Sequence, residues 1–137
     1  MSDQLMCTPG GKCIPCESLD KSHLLSKDQI VEDLKELKNM GLWKVDREGN
    51  KISKSYIARN FQSALDSINA IGSIAERQGH HPDIHLTDYR NVEIVLFTHS
   101  LGGVTINDIL LARMIEEEVK VDYSPKWLKS QNENGKE

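Results

Sequence analysis

The sequence has no large excess of charge of either sign. Charged residues make up 28% of its 137 residues, and the formal net charge is −4. This balance provides no basic field that would attract nucleic acid or an anionic membrane surface. No apolar run approaches the roughly 18 residues that a membrane-spanning helix needs. We therefore expect a water-soluble protein of one domain that binds neither nucleic acid nor a membrane.

Cysteine is scarce as well. An odd number of cysteines, three, is not typical of a disulfide scaffold and favours a reducing compartment. The first residues, MSDQLMCTPGG, lack the charged and then apolar pattern of a secretory signal, and they are not rich in arginine as many transit peptides are. We expect a cytoplasmic protein, and the alternative is an organelle reached with a transit peptide that has since been removed.

The cysteines lie in a segment rich in Cys, Pro, Gly and Ser. Cys13 and Cys16 have the spacing of a zinc ligand pair, and Cys7 and His23 are the nearest further ligands. The second cysteine pair of a zinc ribbon is absent from this segment. Because the segment has neither helical nor strand periodicity, we favour free thiols in a flexible arm over a zinc module.

The hydrophobic pattern divides the chain into three parts. We predict a flexible arm over 1–24, a folded domain over 25–123 and a polar tail that frays over 124–137. The domain alternates helices and hairpins. The predicted elements are a helix from the Ser26 cap to Gly41, a hairpin over 42–57, a helix over 60–79, a hairpin over 83–99 and a helix over 105–121. This order predicts an α+β fold in which three helices cover one face of a four-stranded antiparallel sheet.

The last two helices carry contrasting apolar patterns. In the second helix one stripe is predicted to face the core, formed by Phe61, Leu65, Ile68 and Ala75. The final helix is apolar on nearly all sides. Its apolar residues are Ile106, Ile109, Leu110, Leu111, Met114 and Ile115. Since these cannot all face one sheet, we predict that some of them lie at a contact between subunits of a homo-oligomer.

Three of the five histidines fall within the stretch ERQGHHPDIHLTDY. A two-residue turn at Arg90-Asn91 would place Pro82 opposite His99 in the second hairpin, so that His80 and His81 lie beside His99. A slip of one residue would change which histidine is opposite but not the clustering. The pattern therefore predicts three imidazoles at one end of a hairpin.

Two carboxylates are predicted to join the histidines. Glu76 lies about 20° from Leu65 on the helical wheel, at the edge of the predicted buried stripe and one turn before His80. Asp108 lies in the first turn of the final helix, within reach of the same place. The candidate site comprises Glu76, His80, His81, His99 and Asp108, with Trp43 or Tyr89 as walls.

Each member also has a simpler interpretation. Asp108 fits a capping box with Thr105. Glu76 fits a solvated charge at a helix end, His80 fits a helix terminator, and His99 fits a strand histidine with ordinary partners. We favour a shared site because unrelated capping and surface roles would not require all of these residues to converge.

A metal site is the sharper alternative. Pro82 lies between His81 and His85, so these two histidines cannot share the helical face that zinc motifs use. In the predicted register, His85 also points to the opposite side of the strand from His99. We therefore predict a proton-transfer site without a metal.

The spacing resembles the signature of the pterin-4a-carbinolamine dehydratases. The matching residues are Glu76, His80, His81, Pro82, Tyr89, His99 and Asp108. The resemblance extends from about 26 to 121, and it includes Trp43 and the stretch LLARMIE. It implies the element order predicted above and assembly into a homodimer or homotetramer. The mammalian member of the family also binds a homeodomain transcription factor. The segment after Pro82 and a longer hairpin resemble bacterial and plant members more than the mammalian type.

The resemblance implies removal of water from 4a-hydroxytetrahydropterin, which gives quinonoid dihydropterin and recycles the pterin that aromatic amino acid hydroxylases use. The hydroxyl group needs an acid as it leaves, and the N5 proton needs a base. Histidine can serve as either near neutral pH. No redox change occurs, so no cofactor is expected, and the sequence has no dinucleotide or P-loop glycine pattern.

The resemblance also implies roles for the site residues. His80, His81 and His99 would be the acid–base and pterin-contacting groups, and which is acid and which is base stays open. Glu76 would orient a histidine, and Asp108 would hold a histidine or bind the amino-pyrimidine edge. The alternative function is a pterin- or protein-binding module without turnover, such as a chaperone or a transcriptional co-regulator.

Overall fold

The computed structural model describes residues 19–37 and 43–135, with the side chains described as far as residue 131. Within these ranges the helices are α1 (Lys27–Leu34), α2 (Phe61–Gln78), α3 (Ile106–Glu118) and α4 (Pro125–Gly135), after a single 3-10 turn at Lys21–His23. The strands are β1 (Trp43–Val45), β2 (Ile52–Ile57), β3 (Asp83–Thr87) and β4 (Asn91–Leu96). None of the helices in the described ranges has the length and apolar character needed to cross a membrane.

The four strands form one antiparallel sheet in the order β1-β2-β4-β3. Alternate residues of the central strands are buried on one face. These buried residues are Ile52, Lys54 and Tyr56 of β2 and Val92, Ile94 and Leu96 of β4. The intervening residues are more exposed, as in an antiparallel sheet with one face on the core and the other in solvent. The predicted α+β class and four-stranded antiparallel sheet are therefore confirmed.

Helix α1 begins where its sequence predicts. The Ser26 side chain accepts a hydrogen bond of 3.2 Å from the Gln29 N–H, which satisfies one free donor of the first turn. Ile30, Leu34 and Leu37 are buried on one face of this segment. The helix ends at Leu34 rather than at the predicted Gly41, because residues 35–37 continue as turns with backbone bonds to the carbonyl three residues earlier. Residues 38–42 lie outside the described ranges.

Helix α2 is rotated relative to its predicted orientation. Its buried residues are Ser63, Ala64, Ser67, Ile71, Ile74 and Ala75. Of the predicted stripe, Ala75 is buried and Ile68 packs partly buried against the core, whereas Leu65 is only half-buried and the prediction is wrong for Phe61, which is 49% exposed. The Tyr56 hydroxyl reaches from β2 to the Ser67 hydroxyl at 2.7 Å. This contact places Ser67 on the side of α2 that faces the sheet.

Helix α3 is buried within a single chain. Leu110, Leu111 and Ile115 are each at most 1% exposed. The helix packs against α1 and α2, and Glu116 ties it to the sheet by accepting hydrogen bonds from Trp43 on β1 and Lys54 on β2. The apolar surface of α3 is therefore covered without a second subunit, and it no longer supports an oligomer.

The predicted arm ends earlier than residue 24. Leu19 is buried, and the Leu25 N–H donates to the Val104 carbonyl at 2.8 Å. Leu24 lies so close to Gly103 that a Cβ on the glycine would meet it at 2.8 Å. Leu24 thus packs on the loop before α3 and Leu19 is shielded from solvent, so this part of the predicted arm contacts the domain. The first 18 residues of the arm lie outside the described ranges.

The predicted polar tail contains a helix. Helix α4 begins after Ser124, whose hydroxyl accepts a hydrogen bond from the Trp127 N–H at 3.3 Å. The Trp127 ring stacks on Tyr123 with 5.2 Å between centroids, and the Tyr123 ring meets Tyr56 edge-on. The prediction of a fraying tail from residue 124 is therefore wrong for the helical part, where Trp127 packs with Tyr123 against the core.

Candidate active site

The second hairpin turns earlier than predicted. Asp88 and Tyr89 both have positive φ, 48° and 53°, and the Arg90 N–H donates to the Asp88 carbonyl at 2.7 Å. Leu86 is consequently paired with Val92 and Asp83 with Val95. The predicted turn at Arg90-Asn91 and the pairing of Pro82 with His99 are therefore wrong. Positive φ is uncommon outside glycine, and a turn that needs it usually contains a glycine. This turn contains none, so the sequence did not indicate where the hairpin turns.

The structure nevertheless brings the three histidines to one cleft. Helix α2 ends at Gly79, which adopts φ of 67°, and the chain passes through His80 and His81 into β3. His99 follows the end of β4, which pairs with the start of β3. The cleft has a volume of about 330 Å³ and is lined by Gly79, His80, His81, Pro82, Asp83, His99 and Ser100.

His80 and Asp108 form a buried pair at the back of this cleft. The His80 Nε2 lies 2.6 Å from Asp108 Oδ1, and the two side chains are 4% and 0% exposed. The other carboxylate oxygen accepts hydrogen bonds from the Thr98 hydroxyl at 3.0 Å and from the Thr105 N–H at 2.9 Å. Asp108 therefore caps α3 and also bonds to His80. It fits both the capping box with Thr105 and the predicted cluster with the histidines.

His81 and Glu76 form an exposed pair. The His81 Nε2 lies 2.9 Å from Glu76 Oε1, and the side chains are 63% and 81% exposed. The prediction that Glu76 lies at the edge of the buried stripe is wrong, because the core face of α2 runs through Ile71 and Ile74 on the other side of the helix. From its solvated position Glu76 still reaches His81.

His99 and Asp83 form a second exposed pair. The His99 Nε2 lies 3.4 Å from Asp83 Oδ1, and the side chains are 53% and 48% exposed. The His99 ring also packs against Phe97, with 4.0 Å between centroids and planes tilted by 38°. Sequence reasoning missed Asp83. Only the true register, with the start of β3 beside the end of β4, would have indicated it.

Each of the three histidines thus presents one ring nitrogen to a carboxylate. An ionised carboxylate only accepts hydrogen bonds, so in the two exposed pairs the Nε2 carries the hydrogen. In a neutral imidazole this leaves Nδ1 as the nitrogen that can take a proton. The cleft accordingly holds two solvent-accessible groups that can exchange protons and a third that is locked in place.

The structure does not bring the two aromatic residues to the cleft. Trp43 packs in the core, where its Nε1–H donates to Glu116 at 2.7 Å. Tyr89 lies in the turn at the opposite end of the hairpin. The prediction that either residue forms a wall of the site is wrong, since the β1 position faces the helices and the turn lies at the far end of two strands.

His85 lies outside the three-histidine cleft. It is paired with Glu93 on the open face of the sheet, where it lines a separate surface concavity with Trp127. Across residues 19–37 and 43–135, no three His, Cys, Asp or Glu side chains come together in a way that could hold a metal ion. Cys7, Cys13 and Cys16 lie outside these ranges.

Comparison with known proteins gives the family. The model of the family "Pterin 4 alpha carbinolamine dehydratase" matches residues 23–118. "Pterin-4-alpha-carbinolamine dehydratase 2, mitochondrial" of Arabidopsis thaliana is 37% identical over 108 residues, which cover 77% of this chain and 56% of the plant protein. A "Putative pterin-4-alpha-carbinolamine dehydratase" of Rickettsia canadensis is 41% identical over 109 residues, 79% of this chain and 94% of the bacterial protein.

A solved structure agrees with these relatives. The "transcriptional coactivator/pterin dehydratase from Brucella Melitensis" superimposes with a TM-score of 0.62 at 28% identity, over 71% of this chain and 99% of that protein. The region that the family model matches, 23–118, contains the whole three-histidine cleft. The chain therefore belongs to the pterin 4 alpha carbinolamine dehydratase family.

Proposed function

We propose that this protein is a hydro-lyase that converts 4a-hydroxytetrahydropterin into quinonoid dihydropterin and water. The observation that carries the proposal is the pair of open histidines, His81 and His99, each beside a carboxylate at one cleft in a chain of this family. A cleft of about 330 Å³ falls in the size range of small-molecule sites.

The reaction needs one proton donated and one removed. The bond between C4a and the hydroxyl oxygen breaks, the oxygen leaves with the electron pair, and an acid protonates it to form water. The N5–H bond supplies the electrons of the new double bond between N5 and C4a, and a base takes the proton. Each positioned acid or base typically contributes about 10²–10⁴-fold to such a step. The substrate is neither oxidised nor reduced, so the chemistry requires no redox cofactor.

The different burial of the histidines suggests how they divide the work. His81 and His99 are open to the cleft, and we assign proton transfer to them. His80 is almost fully buried against Asp108, and we assign it a positioning role. Asp108 already accepts from Thr98 and Thr105, which favours its holding His80 over its binding the amino-pyrimidine edge of a pterin.

The wider setting follows from the same proposal. The substrate would come from an aromatic amino acid hydroxylase that uses a tetrahydropterin. A homodimer or homotetramer stays a prediction that rests on the family resemblance, since α3 no longer argues for it. A cytoplasmic location also stays a prediction, and the plant relative is named as mitochondrial.

Turnover of freshly generated substrate tests the proposal. A pterin-dependent hydroxylase would produce 4a-hydroxytetrahydropterin in a rapid-mixing cell, and absorbance would follow its dehydration with and without this protein. We expect the rate to rise in proportion to the protein concentration and to be insensitive to a chelator. Pterin binding without acceleration would contradict the proposal and support a non-catalytic binding module. Loss of the acceleration with the chelator would indicate that the histidines hold a metal.

A further inference from the structure

We propose that Asp83 is a positioning residue that fixes His99 for proton transfer. The inference rests on the proposed function, because it assigns a role within the same cleft. Asp83 is the first residue of β3 and lines the cleft together with His99. Its carboxylate is the described acidic group paired with His99, as Glu76 is with His81 and Asp108 with His80.

The position of His99 explains why it needs such a partner. His99 lies beyond the end of β4, in a turn, and its side chain is about half exposed. A side chain in this setting has more rotamer freedom than one in a strand core, and ordering it has an entropic cost. His80 is ordered by burial, but His99 is not. Local contacts must therefore set the orientation of the His99 ring.

Two contacts on different parts of the ring supply this orientation. The Phe97 ring packs on the imidazole at 4.0 Å between centroids, which restrains its plane. The Lys51 ammonium lies 5.0 Å from the centroid of the same phenyl ring, which holds Phe97 in turn. The ring contact alone still allows a half-turn flip of the imidazole about its Cβ–Cγ bond, which keeps the ring plane but exchanges the positions of Nε2 and Cε1. The Asp83 carboxylate removes that freedom because it pairs with Nε2.

The Asp83–His99 distance suits a site that has not yet bound substrate. At 3.4 Å it is at the long end of the hydrogen-bond range. Catalytic hydrogen bonds are often long in the free enzyme and shorten in the complex. Because the carboxylate accepts from Nε2–H, Nδ1 is left as the proton-accepting nitrogen. Asp83 thus determines which atom of His99 takes part in the reaction.

The test separates action through His99 from direct contact with substrate and from a structural role. The variants are Asp83→Asn, Asp83→Glu, His99→Ala and the double variant Asp83→Asn/His99→Ala. Asp66→Asn is the control, since Asp66 is an exposed aspartate on α2 that bonds only to Gln62 among the described contacts. Kinetics with freshly generated 4a-hydroxytetrahydropterin give kcat and KM separately.

We expect Asp83→Asn to lower kcat about 10-fold with KM within about 2-fold, because orientation of a proton-transfer group acts on the reaction step. Asp83→Glu keeps the carboxylate and should stay within about 3-fold of the wild type. In the His99→Ala background, Asp83→Asn should cause no further loss, because its effect is transmitted through the missing ring. Asp66→Asn should equal the wild type.

Several outcomes would overturn the inference. Equal losses from Asp83→Asn with and without His99 would show that Asp83 acts independently. A raised KM at unchanged kcat would make Asp83 a substrate contact. Wild-type kcat in Asp83→Asn would show that the contact has no role in the reaction.

A measurement without turnover distinguishes failure of the inference from failure of the proposed function. Long-range ¹⁵N–¹H NMR spectra show which ring nitrogen of a histidine carries the proton. The neutral His99 ring should show the Nε2–H form in the wild type, and a mixture of both forms in Asp83→Asn, whose amide can donate as well as accept. Identical His99 spectra in the two proteins would overturn the inference even if the wild type is an active dehydratase. If the His99 spectrum changes in Asp83→Asn but the wild type has no dehydratase activity, the proposed function is contradicted and the contact between Asp83 and His99 is not.

Discussion

His80 and His81 are neighbours in the chain, and each pairs with a carboxylate, yet the two pairs differ in burial. The His80–Asp108 pair is sealed between the end of α2 and the start of α3, whereas the His81–Glu76 pair is open to solvent. Successive side chains diverge here because the chain leaves α2 and passes into β3. The difference shows that position in the fold, rather than residue type, decides how far each histidine side chain is exposed to solvent.

The two pairs should also differ in what they contribute to stability. An exposed ion pair typically contributes about 0–1 kcal/mol, because water screens it and the side chains lose freedom. Removing one partner of a buried pair typically costs about 3–5 kcal/mol, because the other is left without compensation. Substitutions in the sealed pair should therefore affect folding first, and those in the open pairs should affect turnover first.

Asp108→Ala should have the largest effect on stability. It removes the acceptor for His80, for the Thr98 hydroxyl and for the Thr105 N–H that begins α3. We expect the free energy of unfolding to fall by about 3–5 kcal/mol, measured by denaturant titration. Asp122→Ala is the control, because it breaks an exposed pair with Arg59 and should cost less than about 1 kcal/mol. Equal, small losses in both variants would show that burial does not set the two kinds of pair apart.

His81→Ala and His99→Ala should have the reverse profile. We expect each to lower dehydratase kcat by about 10-fold to 10³-fold, as for a positioned proton-transfer group, while the melting temperature stays within a few degrees of the wild type. His85→Ala is the matched control, since His85 is an exposed histidine on the same hairpin but outside the cleft. An equal loss in His85→Ala would mean that the reacting groups lie elsewhere.

Tyr56 extends the comparison to a buried pair that carries no charge. Burial raises the pKa of Tyr56 to about 12, with its Ser67 hydrogen bond acting in the opposite direction. The folded protein therefore holds the phenolic proton more tightly than the unfolded chain does. The stability it contributes is present below pH 10 and is lost as pH rises toward 12, by about 2–3 kcal/mol in total. Tyr56→Phe should lack this part of the decline in unfolding free energy over that window, and an unchanged decline would contradict the assignment.

Glu76→Gln should have the smallest effect. Glu76 is the most exposed member of the three pairs, and the glutamine oxygen can still accept a hydrogen bond from His81. We expect kcat within about 3-fold of the wild type and no measurable change in the free energy of unfolding. A loss as large as that of His81→Ala would show instead that the Glu76 carboxylate itself contacts the substrate or transfers a proton.

The element order was predictable because its signals are local. Ser26 and Thr105 cap helices through their own side chains, and alternating burial marks the central strands. The family was predictable from residue spacing, and the dehydratase prediction is confirmed at the level of that family. What failed depended on packing between elements. The buried face of α2 includes Ser67, whose partner Tyr56 lies on another element, and α4 packs through a stack of aromatic rings.

The clustering of the histidines survived an error in the hairpin register. The chain enters β3 at Asp83, two residues after His81, and β4 ends at Leu96, three residues before His99, so the histidines meet at one end of the hairpin whatever the turn. The partner of His99, in contrast, could not be predicted with the wrong register. Whether Asp83 lies beside His99 depends on the strand register. The turn sets this register, and its two residues with positive φ are not glycines, so the sequence did not reveal it.

A double-mutant cycle on His81 and His99 tests the central claim most directly. The claim is that these two open histidines serve one proton-transfer reaction in one cleft. Turnover of 4a-hydroxytetrahydropterin would be measured for the wild type, the two alanine variants and the double variant. We predict that the double variant loses less activity than the product of the two single losses, because both changes disable the same event. Losses that multiply, or wild-type turnover in either single variant, would contradict it.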